Sequence, residues 1–194
     1  MVKEAQSAPN SITGEHWRYV EQGRIAAISP DKPGNAEILT KDFYSACSPY
    51  VSWDGRFLLF SAKQKQEEPW QIWEMDLSKK KFRKITNLEN NCTDPVYMPN
   101  ERVVFSYHST DATTGQSHAL YSCKTDGTDL RQLTFHPHAN FASMVMTDGR
   151  LLTISRQLYP EIKNPMIMVL RPDGTKADMF FEGEFTSYHS RVRE

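Results

Sequence analysis

Four histidines, His108, His136, His138 and His189, and two cysteines, Cys47 and Cys92, are the side chains with which this chain could do chemistry, with Asp94 beside them in the pattern. Imidazole and thiolate are preferred ligands of zinc and similar ions, so a divalent metal is the cofactor such a set would hold if the fold gathered it. His136-Pro137-His138 is a His-x-His pair that can chelate from an extended chain, but none of the spacings is a recognised metal motif. Solvated or hydrogen-bonded loop histidines are therefore the favoured reading, with His108, His136, His138 and His189 as the metal candidates. A Cys47–Cys92 disulfide is geometrically allowed, while buried thiols are the favoured state. The chain has no Gly-x-Ser-x-Gly elbow, no Gly-rich phosphate loop and no His-Glu-x-x-His. Asp111, Asp129 and Glu161 have no visible acid or base partner, so no catalytic residue is assigned.

The elements that must position these residues are repeats. The phrase Ile38-Leu39-Thr40 returns as Lys84-Ile85-Thr86 and Gln132-Leu133-Thr134, with the threonines 46 and 48 residues apart. Turn residues Asp54-Gly55, Asn100-Glu101 and Asp148-Gly149 keep the same two intervals, and each is followed by a dense apolar run such as Phe57-Leu58-Leu59-Phe60. A second hairpin follows in each unit, turning at Asp76-Leu77-Ser78-Lys79, Asp126-Gly127 and Asp173-Gly174. Asp-Gly suits a two-residue hairpin, because glycine accepts positive φ and aspartate tolerates it. Apolar runs without alternation belong to strands buried on both faces, as when blades stack. A period in the forties with four short strands per unit is that of an all-β propeller blade.

The expected architecture is a β-propeller of four-stranded antiparallel blades. Three complete blades cover about 45–86, 92–134 and 139–181, with partial blades at 23–40 and 186–194 after a poorly defined N-terminal arm, 1–22. The ends are out of phase with the repeat, as in a piece of a larger propeller whose exposed blade faces would meet a protein partner or self-associate. Propeller geometry places the loops around Cys47, Cys92, Asp94, Tyr107, His108, His136, His138, Asn140, Arg156 and His189 on one face, near the channel mouth, where a small ligand would sit. The loop at Tyr107–Ser117 and that at Arg156–Asn164 carry polar and aromatic tips suited to a partner. Trp53, Trp70, Trp73, Tyr97, Tyr121 and Phe141 recur at equivalent places and read as inter-blade core rather than as a sugar-stacking platform.

Net charge is −1 over 194 residues without a cationic stripe, which excludes nucleic acid as the expected partner. The run Lys79-Lys80-Lys81-Phe82-Arg83-Lys84 reads as a solvated rim. No 18-residue apolar stretch is present to span a membrane, and Met1–Gln6 opens no signal peptide, so the chain is cytosolic or its targeting segment lies elsewhere.

The units Ser48 to Thr86 and, with departures, Asp94 to Thr134 resemble the TolB-type (WD-like) propeller repeat: a Pro-aromatic strand, an Asp-Gly-Arg turn that is Asn100-Glu101-Arg102 in the second unit, an apolar strand ending Phe-Ser, then Ile-Trp/Tyr-x-Met-Asp, which the second unit replaces by Leu120-Tyr121-Ser122-Cys123-Lys124, and Arg-x-Leu/Ile-Thr. Within that class, Trp70-Gln71-Ile72-Trp73-Glu74-Met75-Asp76, Cys92 to Pro99 and His136 to Ala142 are most similar to the propeller region of hydrazine-synthase-alpha-like proteins. That resemblance implies a propeller scaffold and a periplasmic or other extracytoplasmic setting, in a binding module of a larger bacterial cell-envelope protein. It does not carry haem chemistry onto any residue, because the attachment motif Cys-x-x-Cys-His is absent. The alternative is the propeller domain of a metal- or haem-dependent enzyme, either a hydrazine-synthase-alpha-like oxidoreductase or a histidine-metal polysaccharide lyase.

Overall fold

The protein is described by a computed structural model over residues 21–99, 101–111, 115–136, 138–161 and 163–182. The expected strand at 186–194, His189 within it, nearly all of the arm at 1–22 and turn residue Asn100 lie outside the described residues. Every regular element described is a β-strand. A hairpin of β1 (Ala26–Ser29) and β2 (Lys32–Ile38) comes first. A four-stranded antiparallel sheet follows in the order β3 (Ser45–Val51), β4 (Phe57–Lys63), β5 (Gln71–Asp76) and β6 (Lys81–Lys84). The remaining strands are β7 (Cys92–Met98), β8 (Arg102–Asp111), β9 (Gly115–Lys124), β10 (Arg131–Gln132), β11 (His138–Val145), β12 (Leu151–Gln157), β13 (Met166–Leu170) and β14 (Asp178–Glu182). They form one eight-stranded sheet in which β14-β13-β12-β11-β9-β8-β7 are successive neighbours and β10 pairs with β9. The link between β9 and β11 is a single parallel pair, Ala139 with His118.

The repeated apolar-Thr pair has a clear structural cause. Thr40, Thr86 and Thr134 are buried, and each hydroxyl accepts a backbone N–H: from Ile25, just before β1, at 3.0 Å, from Ile72 on β5 at 2.8 Å and from Leu120 on β9 at 2.9 Å. The residue before each threonine donates its own N–H to the carbonyl of that same partner, Leu39 to Ile25, Ile85 to Ile72 and Leu133 to Leu120, all at 2.8 Å. The pair thus holds the end of the outer strand where the β-ladder has stopped, and satisfies backbone groups that would otherwise be buried unpaired. Thr86→Val keeps the shape but leaves the Ile72 N–H without its acceptor. We expect a loss of about 1–3 kcal/mol in denaturant unfolding, and an unchanged midpoint would remove the clamp from the account.

The strand that follows each turn is buried on both faces, as its apolar run requires: Leu58 to Lys63 in β4 and Leu151 to Ser155 in β12 are buried throughout. Phe43 is the hub of one core cluster, meeting Phe60, Trp73 and Phe82 edge-on at centroid distances of 5.4, 4.9 and 5.1 Å. A second cluster joins Leu59, Ile72 and Ile85 to Cys92, Tyr97, Val103 and Phe105, so the interior runs from the four-stranded sheet into the next.

Four sequence expectations are corrected. The Asp-Gly turns are longer than two-residue hairpins: Lys124 donates its N–H to the Thr128 carbonyl and Arg171 to the Thr175 carbonyl, while Asp126 and Asp173 Oδ1 accept the N–H of Thr128 and Thr175; at the inner turn Ser52 donates to the Phe57 carbonyl and Asp54 Oδ1 accepts the Arg56 N–H. The aspartate carboxylate ties down the N–H two residues on, which stabilises the wider turn. Tyr107–Asp111 and Gly115–Ser117 are strand rather than loop, because β8 and β9 continue as ten-residue strands with His108 opposite His118 and Ser109 opposite Ser117. Arg156 and Gln157 likewise extend β12 rather than opening a loop. Trp53 is not core: it is 69% exposed. Trp70, Tyr97 and Phe141 are buried as expected, and Trp73 and Tyr121 partly so.

Candidate functional site

The starts of β3, β7 and β11 share one irregularity, a register shift between Cys47 and Tyr50, between Thr93 and Val96, and between Phe141 and Met144. At two of them a non-glycine residue takes a left-handed conformation, Ser48 and Asp94, both at φ 52°. Such bulges re-aim a side chain. Here they bring equivalent positions of successive repeats together, with the Ser48 hydroxyl donating to Asp94 Oδ1 at 2.7 Å. The Asp94 N–H in turn donates to Ser61 Oγ at 3.2 Å, and Asp94 is 1% exposed.

A buried polar cluster grows from that point. His108 Nε2 lies 3.1 Å from Thr93 Oγ1, and the His108 ring stacks on His118 at 3.8 Å with an interplanar angle of 11°. Asn140 donates from Nδ2 to the His118 carbonyl at 3.3 Å, while its own carbonyl accepts the Ser106 hydroxyl at 2.6 Å. Burial pushes the His108 imidazole down to about 4, against a smaller upward pull from the Asp94 carboxylate. Burial also drives His118 well below its ordinary value, His108 adds to the shift, and Asp94 again opposes it. Both rings are neutral at pH 7. A stacked neutral pair can share a proton network but brings no charge to a ligand.

His136 and His138 form a second group, with centroids 4.1 Å apart and His138 Nδ1 3.1 Å from Ser155 Oγ. His136 Nδ1 is buried and has no hydrogen-bond partner among the described residues. Burial lowers His138 to about 4, helped by His136, and lowers His136 too. Among the described residues no three His, Cys, Asp or Glu side chains are grouped to hold a metal ion. The histidine set therefore divides into a stacked pair on the long β8-β9 hairpin and a pair at the entry to β11.

The other sequence candidates take separate places. Cys47 is half-buried and Cys92 buried, and with Cys123 they are thiols not joined by a disulfide. Burial pushes the Cys92 thiol up to about 12 and the Cys123 thiol to about 11, which makes both inert at neutral pH. Tyr107 is half-buried on β8, accepting from Asn90 Nδ2 at 3.2 Å and meeting Tyr121 edge-on at 5.1 Å. Arg156 donates from Nε to the Lys163 carbonyl at 3.0 Å, bracing the segment after β12. His118 is the residue that sequence reading missed. Only the β8-β9 register, which sets His118 opposite His108, brings it in.

On the opposite, turn-bearing face a cleft of about 790 Å³ opens between the β3-β6 sheet and β7, lined among others by Trp53, Phe57, Glu74, Arg83, Tyr97 and Glu101. Glu74 is buried, pairs with Arg83 Nη2 and accepts the Tyr97 hydroxyl at 2.9 Å, which fixes the cleft wall. Burial beside the Glu74 carboxylate raises the Tyr97 phenol far above its ordinary value, so it stays a donor.

No family model matches the chain. Hydrazine synthase subunit alpha of Kuenenia stuttgartiensis is 28% identical over 94 residues, which is 46% of this chain and 12% of that protein. The solved Kuenenia stuttgartiensis hydrazine synthase superposes with a TM-score of 0.74 at 21% identity, covering 84% of this chain and 28% of that one. TolB from Acinetobacter baumannii superposes with a TM-score of 0.58 at 19% identity, covering 84% and 41%. The chain thus spans about an eighth of the curated relative it matches, and its all-β fold is that of the TolB-like propellers, resembling the propeller of hydrazine synthase alpha.

Proposed function

We propose that this chain is a propeller module acting as a binding scaffold within a larger, extracytoplasmic bacterial protein. Cutting the eight-stranded sheet at its one parallel pair, Ala139 with His118, gives β7–β10 and β11–β14. With β3–β6 these make three four-stranded blades, and β1-β2 is the outer half of another. The observation that carries the reading is apolar surface on the terminal strands. Ile28 and Ile38 are 58% and 53% exposed at one end, and Met179 and Phe180 are 56% and 57% exposed at the other. Side chains that stack against neighbouring blades inside a propeller here face solvent, and burying them against a partner is favourable at about 25 cal/mol per Å².

The test joins light scattering to apolar-dye fluorescence. The chain is expected to bind dye and to scatter above its monomer mass, and Ile28→Lys with Phe180→Lys is expected to reduce both signals. A monomer that binds no dye would sink the proposal. No helix among the described residues is long and apolar enough to cross a membrane.

A further inference from the structure

We propose that the cleft on the turn-bearing face binds a neutral oligosaccharide, with the indole of Trp53 as its stacking platform. This goes beyond the terminal-strand reading and does not depend on it, because the cleft lies between the β3-β6 sheet and β7.

Trp53 sits in a turn between β3 and β4 and is 69% exposed, although the repeat places it where core would be expected. A large aromatic face left in water at the rim of a concavity is a feature that calls for an occupant. The volume, about 790 Å³, falls in the roughly 300–1,000 Å³ range of small-molecule sites.

Charge decides the class of ligand. The lining has four cations, Arg56, Lys79, Lys81 and Arg83, and four anions, Asp54, Glu74, Asp76 and Glu101. Three pairs are neutralised within the wall: Arg56 with Asp54 at 3.9 Å, Lys79 with Asp76 at 3.4 Å, and Arg83 with Glu74. Lys81 and Glu101 add one charge of each sign. A phosphate, a uronate or a polycation would find no excess of opposite charge. A hydroxyl-rich ligand would, in contrast, find carboxylate acceptors and ammonium and guanidinium donors side by side, which is what groups that both donate and accept require. The apolar C–H face of a sugar ring then matches the indole. The Glu74–Arg83–Tyr97 network holds that wall in place before binding, so little ordering cost falls on association.

The experiment is calorimetric and fluorescence titration of the full chain with cellohexaose, chitohexaose and maltohexaose, each taken to millimolar concentration. Saturable binding of at least one, with a change in tryptophan emission, is expected. Trp53→Ala should weaken it by about tenfold or more, while Trp53→Phe keeps most of the affinity. The exposed position leaves the fold intact, which an unchanged unfolding midpoint for Trp53→Ala would verify. Failure of all three saccharides to bind saturably overturns the proposal, as does binding that Trp53→Ala leaves untouched. A Trp53→Ala chain that changes its sedimentation instead would assign the indole to a contact between copies, also against the saccharide.

Discussion

Gly127→Ala is expected to destabilise the protein by about 2–5 kcal/mol, far more than the same change at Gly149. Both glycines are left-handed, at φ 87° and 85°, and an alanine in that region costs about 1–2 kcal/mol by itself. The difference is space. A Cβ on Gly127 would stand 2.4 Å from the Ile85 carbonyl oxygen, whereas at Gly149 nothing lies within 4 Å. Gly174, at φ 84°, repeats the tight case against the Leu133 carbonyl oxygen at 2.2 Å. Ile85 and Leu133 are the residues just before the clamping threonines, so each of these turns presses on the outer strand end of the preceding unit. A methyl group there must move backbone against backbone. Denaturant unfolding of Gly127→Ala, Gly174→Ala and Gly149→Ala checks this, and equal losses at all three would show that only φ matters.

Acid should weaken the fold between about pH 6.5 and pH 4, before the carboxylates contribute. His108 is held neutral with its pKa lowered from 6.5 to about 4, and His118 is displaced the same way. The unfolded chain takes up protons at the higher pH, so in this window it binds more than the native state, and stability rises with pH. The stability is therefore fully present above about 6.5 and lost as pH falls to about 4. For His108 alone the loss reaches about 3 kcal/mol. The carboxylates act later: Asp76, held down to about 2 by the Lys79 N–H and the Ser78 hydroxyl, is protonated only well below its ordinary 3.8. Urea midpoints taken from pH 7.5 down to 4 should fall steeply in the parent and less in His108→Gln/His118→Gln. Parallel slopes would mean that the stacked pair is not the source.

Much of the fold was legible because it rests on local, repeated causes. The threonine period marks a buried backbone clamp, the non-alternating runs mark strands covered on both faces, and the aspartates mark turns closed by their own carboxylates. The candidate site was less legible. Cys47, Cys92, Asp94, His108, His136, His138 and Asn140 lie in or next to β3, β7, β8 and β11, but which of them touch depends on bulges and on a hairpin longer than turn residues suggest. His118 joins His108 through strand pairing across ten residues. Trp53 shows the converse: its type and repeat position spoke for the core, and the width of its turn lifted it into solvent.

The sequence by itself determined the all-β class, the period near 47, the strand order within each unit and the absence of a haem attachment motif, since each follows from residue type and spacing along one stretch of chain. Only the tertiary structure decided that the histidines part into two neutral pairs, that Asp94 turns toward Ser48 of the preceding repeat, and that a charge-balanced cleft opens beside Trp53 on the other face. Those outcomes depend on how separate units pack against one another, and contacts between units about 46 residues apart leave no mark in the local pattern.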